Sequence, residues 1–217
     1  MVVRKMSTNI ATMNNLESIR RYYSTFINSI SKIVKSYGGK VLKNIGDSIL
    51  FYFSKTSDIN NANSFQEAIE CDFKILERYK INDELVKKHL PPFNFRMSLD
   101  YGVLDLALVG DYSQTDLFGS TLNLCSKINS SSFSIPNEII IGDRLYKVLK
   151  SSNIVNNYYF INNGEYKIIE LNRYPTYTIR RTNNHVMSIT KNNNKKELVR
   201  RIIIDITQTR IIHSSLS

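Results

Sequence analysis

Apolar residues recur at helical spacing from Leu16 to Tyr37 (Leu16, Ile19, Tyr23, Phe26, Ile27, Ile30, Val34), and Gly38-Gly39 ends the run as a C-cap would. The pattern predicts a long amphipathic helix. Val41-Leu42 and the run from Ile49 to Phe53 flank Gly46-Asp47, which predicts two strands joined by a tight turn. Helical spacing returns from Phe65 to Lys88 through Phe65, Ala68, Ile69, Phe73, Leu76 and Tyr79, until Pro91-Pro92 stops any helix. Strands are expected at Phe95 to Leu99 and Val103 to Val109, separated by a turn around Gly102. A polar loop and the short segment Ser120 to Ile128 follow. A strand from Glu138 to Ile141, a helix from Asp143 to Leu149 and strands near Tyr158, Lys167 and Tyr177 complete the set.

Mixed elements with adjacent hairpins point to an α+β sandwich, with helices on one face of an antiparallel sheet. There is no internal repeat. Asn and Lys runs between residues 181 and 199 read as a solvated linker, so the expected division is a domain over 1–180 and a basic linker and tail over 181–217, the latter a tail or the start of a further domain.

With 217 residues, 42% of them hydrophobic, the chain is long enough to bury a sizeable core. Its net charge of +10 raises nucleic acid, anionic lipid or phosphate-bearing small ligands as partners. Residues 181–217 hold seven Lys/Arg against Glu197 and Asp205, so half of that surplus lies in the tail and the core is only mildly basic. Neither part carries the aromatic-plus-basic pattern of a specific nucleic-acid binder. Cys71 and Cys125 have no ligand-like or disulfide-framework spacing and read as buried small hydrophobes. No apolar run is long enough for a membrane span and no secretory signal opens the chain, so a cytoplasmic location is expected.

The stretch Gly38-Gly39-Lys40-Val41-Leu42-Lys43-Asn44-Ile45-Gly46-Asp47 resembles the GG-x-x-x-K-x-x-GD hairpin of class III nucleotidyl (adenylyl and guanylyl) cyclases. Asp116-Leu117-Phe118-Gly119 through Asn123 to Lys127 is similar to that family's D-x-x-G-x-x-V-N-x-x-x-R, with Lys127 where the arginine is expected. Arg96 to Gly102 resembles R-I-G-I-H-x-G, with Asp100 in place of the histidine, and Glu138 to Asp143 looks like the family's late strand leading into a helix. Together these pieces cover roughly residues 15 to 180. A lone Gly-Asp or Asn-x-x-x-Arg is weak; the ordered set is specific.

The resemblance implies a ferredoxin-like, palm-type βαββαβ core. It also implies an adenylate cyclase converting ATP to cyclic AMP and pyrophosphate in signalling, with Mg²⁺ or Mn²⁺ as cofactor. Carried over by position, Asp47 is the metal ligand, Lys43 and Asp116 bind the purine, Asn123 orients the ribose, and Lys127 meets the phosphates. A donor lysine beside an acceptor aspartate matches adenine rather than guanine. Lysine brings a point charge without the bidentate fork of arginine, so weaker stabilisation of phosphate charge is expected. The family implies a homodimer, or a dimer with another cyclase domain, with each site shared between two chains. Taken singly, Asp47 reads as an ordinary turn residue, Lys43 and Lys127 as surface charge, and Asp116 and Asn123 as loop and helix-start residues.

In the family a first central strand supplies a second metal aspartate about 45 residues before the hairpin aspartate. Here no carboxylate precedes Glu17, and the expectation is that this strand is largely missing, the domain being truncated at its amino end. The tail segment Arg201 to Thr209, with Asp205, looks like a candidate replacement. The competing function is a catalytically impaired cyclase-homology module that binds nucleotide or signals by dimerising. A diguanylate cyclase is disfavoured, since Gly38-Gly39-Lys40-Val41-Leu42 is not GGDEF.

Overall fold

The computed structural model describes residues 2–5, 15–45, 48–77, 87, 89–90, 95–109, 114–131, 136–166 and 173–182. The chain divides into two units, Met1–Val155 with Phe160–Arg180, and Asn156–Tyr159 with Arg181–Ser217. In the second, the Thr182 amide donates to the Asn157 carbonyl at 2.9 Å.

Helix α1 (Leu16–Ser36) starts where the Asn15 side chain accepts from the Glu17 amide at 2.8 Å. Tyr22, Phe26, Ile30 and Val34, one per turn, form its buried stripe. It ends as the glycine pair predicts. Gly38 takes a φ of +77°, and a Cβ on Gly39 would fall 2.7 Å from the Val34 side chain and 2.9 Å from Phe53. The chain thus turns tightly into strands β2 (Lys40–Ile45) and β3 (Ser48–Tyr52). Helix α2 (Ala62–Leu76) is capped by Asn61 and buries Phe65, Ala68, Ile69, Asp72 and Ile75. The helix expected to reach Lys88 ends at Leu76; residues 78–86 and 88 lie outside those described.

Among the described residues nine strands follow in chain order, with β1 (Val2–Lys5), β4 (Phe95–Leu99), β7 (Ile139–Gly142), β8 (Tyr158–Tyr166) and β9 (Tyr174–Arg181) joining the hairpin in a sheet of order β2-β3-β1-β4-β7-β9-β8. All register-defined pairings in it are antiparallel except β4 with β7. Strands β5 (Asp105–Val109) and β6 (Gln114–Phe118) make a separate two-stranded sheet. Helix α3 (Ser120–Ser130) follows β6, and α4 (Asp143–Ser151) follows β7.

Three expectations change. Gln114–Phe118, expected within a polar loop, is a strand because β5 offers it an antiparallel partner from Asp105↔Phe118 to Val109↔Gln114. Helices cover both faces of the main sheet, not one. Strand β4 alternates, so Phe95 meets Phe26 of α1 with ring centroids 6.2 Å apart while Ser98 hydrogen-bonds to α3 on the other side. Last, the first strand is present as four residues: Val2–Lys5 lies between β3 and β4, with Val2 opposite both Leu50 and Ser98. That short strand removes two of the free edges its loss would have left. It also holds the place offered to the tail segment, whose Asp205 lies outside the described residues.

Candidate active site

The β2–β3 hairpin is paired up to Ile45↔Ser48, leaving Gly46 and Asp47 as the two residues between the strands; both lie outside the described residues. A bulge interrupts the register, since Val41 faces Phe51 but Lys43 faces Leu50, with Leu42 extra. Lys43 is thereby set opposite Leu50, the buried residue that clusters with Cys125 of α3. The bulge was not visible as a sequence pattern.

Asp116 sits on β6 opposite Ala107. Two residues later β6 ends and Gly119 opens α3 with a φ of +137°, where a Cβ would stand 3.2 Å from the Val103 carbonyl. The glycine of the D-x-x-G motif is therefore a backbone requirement, joining a strand to a helix without a loop. Helix α3 buries Thr121, Leu124, Cys125 and Ile128, and Leu124 and Ile128 pack with Ile140 and Tyr174. Asn123 and Lys127, one turn apart, are exposed on the opposite side. The structure thus brings Asn123 and Lys127 together on an exposed face of α3, the helix that directly follows β6 and its Asp116.

Asp100, which the sequence left without a role, is a structural tie. Its carboxylate accepts from the Tyr174 hydroxyl at 2.7 Å, the Tyr101 amide at 2.9 Å and the Leu145 amide at 3.3 Å, so it caps the first turn of α4 from a distant strand. The Tyr174 hydroxyl in turn accepts from the Arg144 amide at 3.1 Å. A Cβ on Gly142 would lie 2.5 Å from this carboxylate, which explains the glycine at that helix entrance. Burial pushes the Asp100 carboxyl up from its ordinary range, and the hydroxyl and amide donors pull it part of the way back. Burial likewise raises Tyr174, helped by the neighbouring carboxylate. Arg173, just ahead of β9, is on the surface, 3.5 Å from Glu165.

Asp47, the metal ligand that the resemblance implies, lies outside the described residues. Among the described residues no three His, Cys, Asp or Glu side chains gather into a possible metal site. Strand β1, which runs beside β3 next to the hairpin tip, reads Val2-Val3-Arg4-Lys5 and brings two basic residues and no carboxylate. The second candidate ligand expected from the sequence, Asp205, also lies outside the described residues.

The profile of the Adenylate and Guanylate cyclase catalytic domain matches residues 5–181, most of the chain. The protein belongs to that family. The cyclase fold also relates it to solved structures. The adenylyl cyclase CyaB from P. aeruginosa superposes with a TM-score of 0.69 at 18% identity, covering 85% of this chain and 93% of that one. The guanylate cyclase domain of RhGC from Catenaria anguillulae, solved in complex with GTP, gives 0.67 at 18% identity over 83% and 93%. A non-canonical dimeric guanylyl cyclase domain of the RhoGC fusion protein from Blastocladiella emersonii gives 0.62 at 18% identity over 83% and 93%. No functionally curated protein is detectably similar in sequence. At these identities the solved structures establish the cyclase fold of this domain, and they include both adenylyl and guanylyl enzymes. No helix among the described residues is long and apolar enough to cross a membrane.

Proposed function

We propose that this cyclase domain acts on ATP in the cytoplasm as one half of a two-domain assembly, forming cyclic AMP and pyrophosphate. The ribose 3′ oxygen attacks the α-phosphorus, the new O–P bond replaces the bond to the leaving pyrophosphate, and the hydroxyl proton passes to solvent. Lys43 donates to an adenine ring nitrogen and Asp116 accepts from the exocyclic amine. Asn123 orients the ribose and Lys127 offsets charge on the phosphates. The observation that carries this reading is the pair Asn123 and Lys127 on an exposed face of a helix whose other face is locked into the core. Two polar side chains held side by side on a rigid support and exposed to solvent suit a ligand shared with a second domain.

A second reading rests on its own observation. The described β1, Val2-Val3-Arg4-Lys5, carries no carboxylate, which favours a domain that binds nucleotide and pairs without turning it over. The deciding experiment mixes the purified chain with an active cyclase domain of the same family, supplies Mn²⁺ with ATP or GTP, and measures nucleotide binding and cyclic product. Product or enhanced turnover that Asn123→Ala removes supports the catalytic reading. Binding of ATP without product supports the silent module, and absence of binding to either nucleotide sinks both.

A further inference from the structure

Successive residues of an α-helix are turned by about 100°, so the residues two before and two after a given position both stand within about 20° of the side opposite to it. Cys125, buried on α3, has Asn123 and Lys127 at those two positions, both exposed. The helix is held from beneath at this point. The Ser98 hydroxyl of β4 donates to the Cys125 carbonyl at 2.9 Å and the Cys125 thiol donates to the Ser98 carbonyl at 3.2 Å, with the hydroxyl oxygen and the sulfur 3.4 Å apart. Burial pushes the thiol up from its ordinary range, so it keeps the proton that it donates. One bond ends on a backbone atom of the helix and the other starts from a side-chain atom, so together they fix both the height of α3 along its axis and its rotation about it. Apolar contact is non-directional and fixes neither as closely.

Cys125 also reaches the hairpin that carries Lys43. It clusters with Leu50 of β3, and Leu42 and Leu122 pack against that contact. Leu42 is the extra residue of the β2 bulge, immediately before Lys43, and Leu122 immediately precedes Asn123. The joint so formed is this chain's own: Ser98 stands at the glycine of the R-I-G-I-H-x-G pattern, and a glycine has no hydroxyl to give.

We infer that Ser98 and Cys125 are positioning residues: they set α3 against the strand of Lys43, so that Asn123 and Lys127 meet the ribose and phosphates of a nucleotide whose base Lys43 holds. The assignment rests on the reading of the site proposed above. Both residues are buried, so they act through the helix and not by touching the ligand. The lever is long enough to matter. Side chains at a radius of about 6 Å from the helix axis move by about 1 Å when α3 rolls by about 10°, and a misplacement of that size costs up to about a hundredfold in rate.

The test uses the full chain and its variants Ser98→Ala, Cys125→Ala, Cys125→Ser and Phe26→Leu, each at a temperature where circular dichroism shows it folded. ATP affinity is measured by calorimetry, and kcat and KM for cyclic product in the mixed assembly with an active cyclase domain and Mn²⁺. Ser98→Ala and Cys125→Ala are expected to lower kcat/KM at least about tenfold, or ATP affinity by that factor where no product forms. Cys125→Ser keeps a donor to the Ser98 carbonyl and is expected to stay within about twofold of the parent. Phe26→Leu, which loosens the core from the α1 side, is expected to change Tm and leave both readouts unmoved. In an Asn123→Ala, Lys127→Ala background Ser98→Ala is expected to cost nothing further, because the groups that it positions are gone. A full tenfold loss in that background overturns the assignment, as does an equal loss in Phe26→Leu or a Cys125→Ser variant as poor as Cys125→Ala. A parent chain that binds neither ATP nor GTP sinks the functional reading and this assignment with it; a parent that binds nucleotide while Ser98→Ala matches it sinks this assignment alone.

Discussion

Ser98 on β4 and Cys125 on α3 are joined in both directions: the Ser98 hydroxyl donates to the Cys125 carbonyl at 2.9 Å, and the Cys125 thiol donates to the Ser98 carbonyl at 3.2 Å. Both residues are buried, so neither bond competes with water. The link ties the middle of α3 to the central sheet, between the turns that carry Asn123 and Lys127. Ser98→Ala is expected to cost about 1 to 2 kcal/mol in urea unfolding, because it leaves the helix carbonyl short of a donor at a site closed to solvent. Cys125→Ala is expected to cost a similar amount, through the lost thiol and the space it leaves. A cost near zero for both variants would show that α3 is held by apolar packing alone.

The Asp100–Tyr174 contact should be separable from the rest of the core. Tyr174→Phe removes one donor to a buried carboxylate and is expected to cost about 1.5 to 3 kcal/mol, with Asp100→Ala costing more because α4 also loses its cap. The double variant is expected to fall short of the sum of the two, and full additivity would mean that the two side chains do not act together.

Acid should stabilise this domain more than its composition implies. Asp72 is fully buried on α2, neither of its carboxylate oxygens has a hydrogen-bond partner among the described residues, and burial raises its pKa well above the ordinary range. The folded state therefore holds a proton that the unfolded chain releases near pH 4, and the unfolded state binds fewer protons between that value and the raised one. Stability is fully present below about pH 4 and falls as pH rises toward the folded pKa. Asp100 shifts in the same direction. Urea unfolding at about pH 5 and about pH 8 should show the loss, and Asp72→Asn should reduce it; an unchanged slope in that variant would assign the dependence to other groups.

Lys127→Arg tests the departure from the family pattern directly. Restoring a bidentate fork at an exposed position should raise kcat/KM for cyclic AMP formation in the mixed assembly by about tenfold, near 1.4 kcal/mol, without moving Tm. Asn123→Ala should lower it by a similar or larger factor, again without a stability change, since both side chains stand outside the core. A gain with arginine in KM alone would place Lys127 in ground-state binding rather than at the transition state.

The sequence by itself determined the local elements and the identity of the motif residues. Residues at helical spacing placed α1 to within a residue or two, Gly38-Gly39 marked its end, and the Gly-Asp pair marked the hairpin. These are properties of short windows, set by side-chain period and by the torsion angles open to glycine. The pairing of Asn123 with Lys127 was legible for the same reason, being one turn of helix.

What tertiary structure decided is everything that depends on a neighbour distant in the chain. Gln114–Phe118 became a strand because β5 was there to pair with it. Asp100 gained a role because Tyr174 and Leu145 converge on it from 74 and 45 residues away. Val2–Lys5, too short a run to read as a strand alone, became one because β3 and β4 offer it a ladder on both edges.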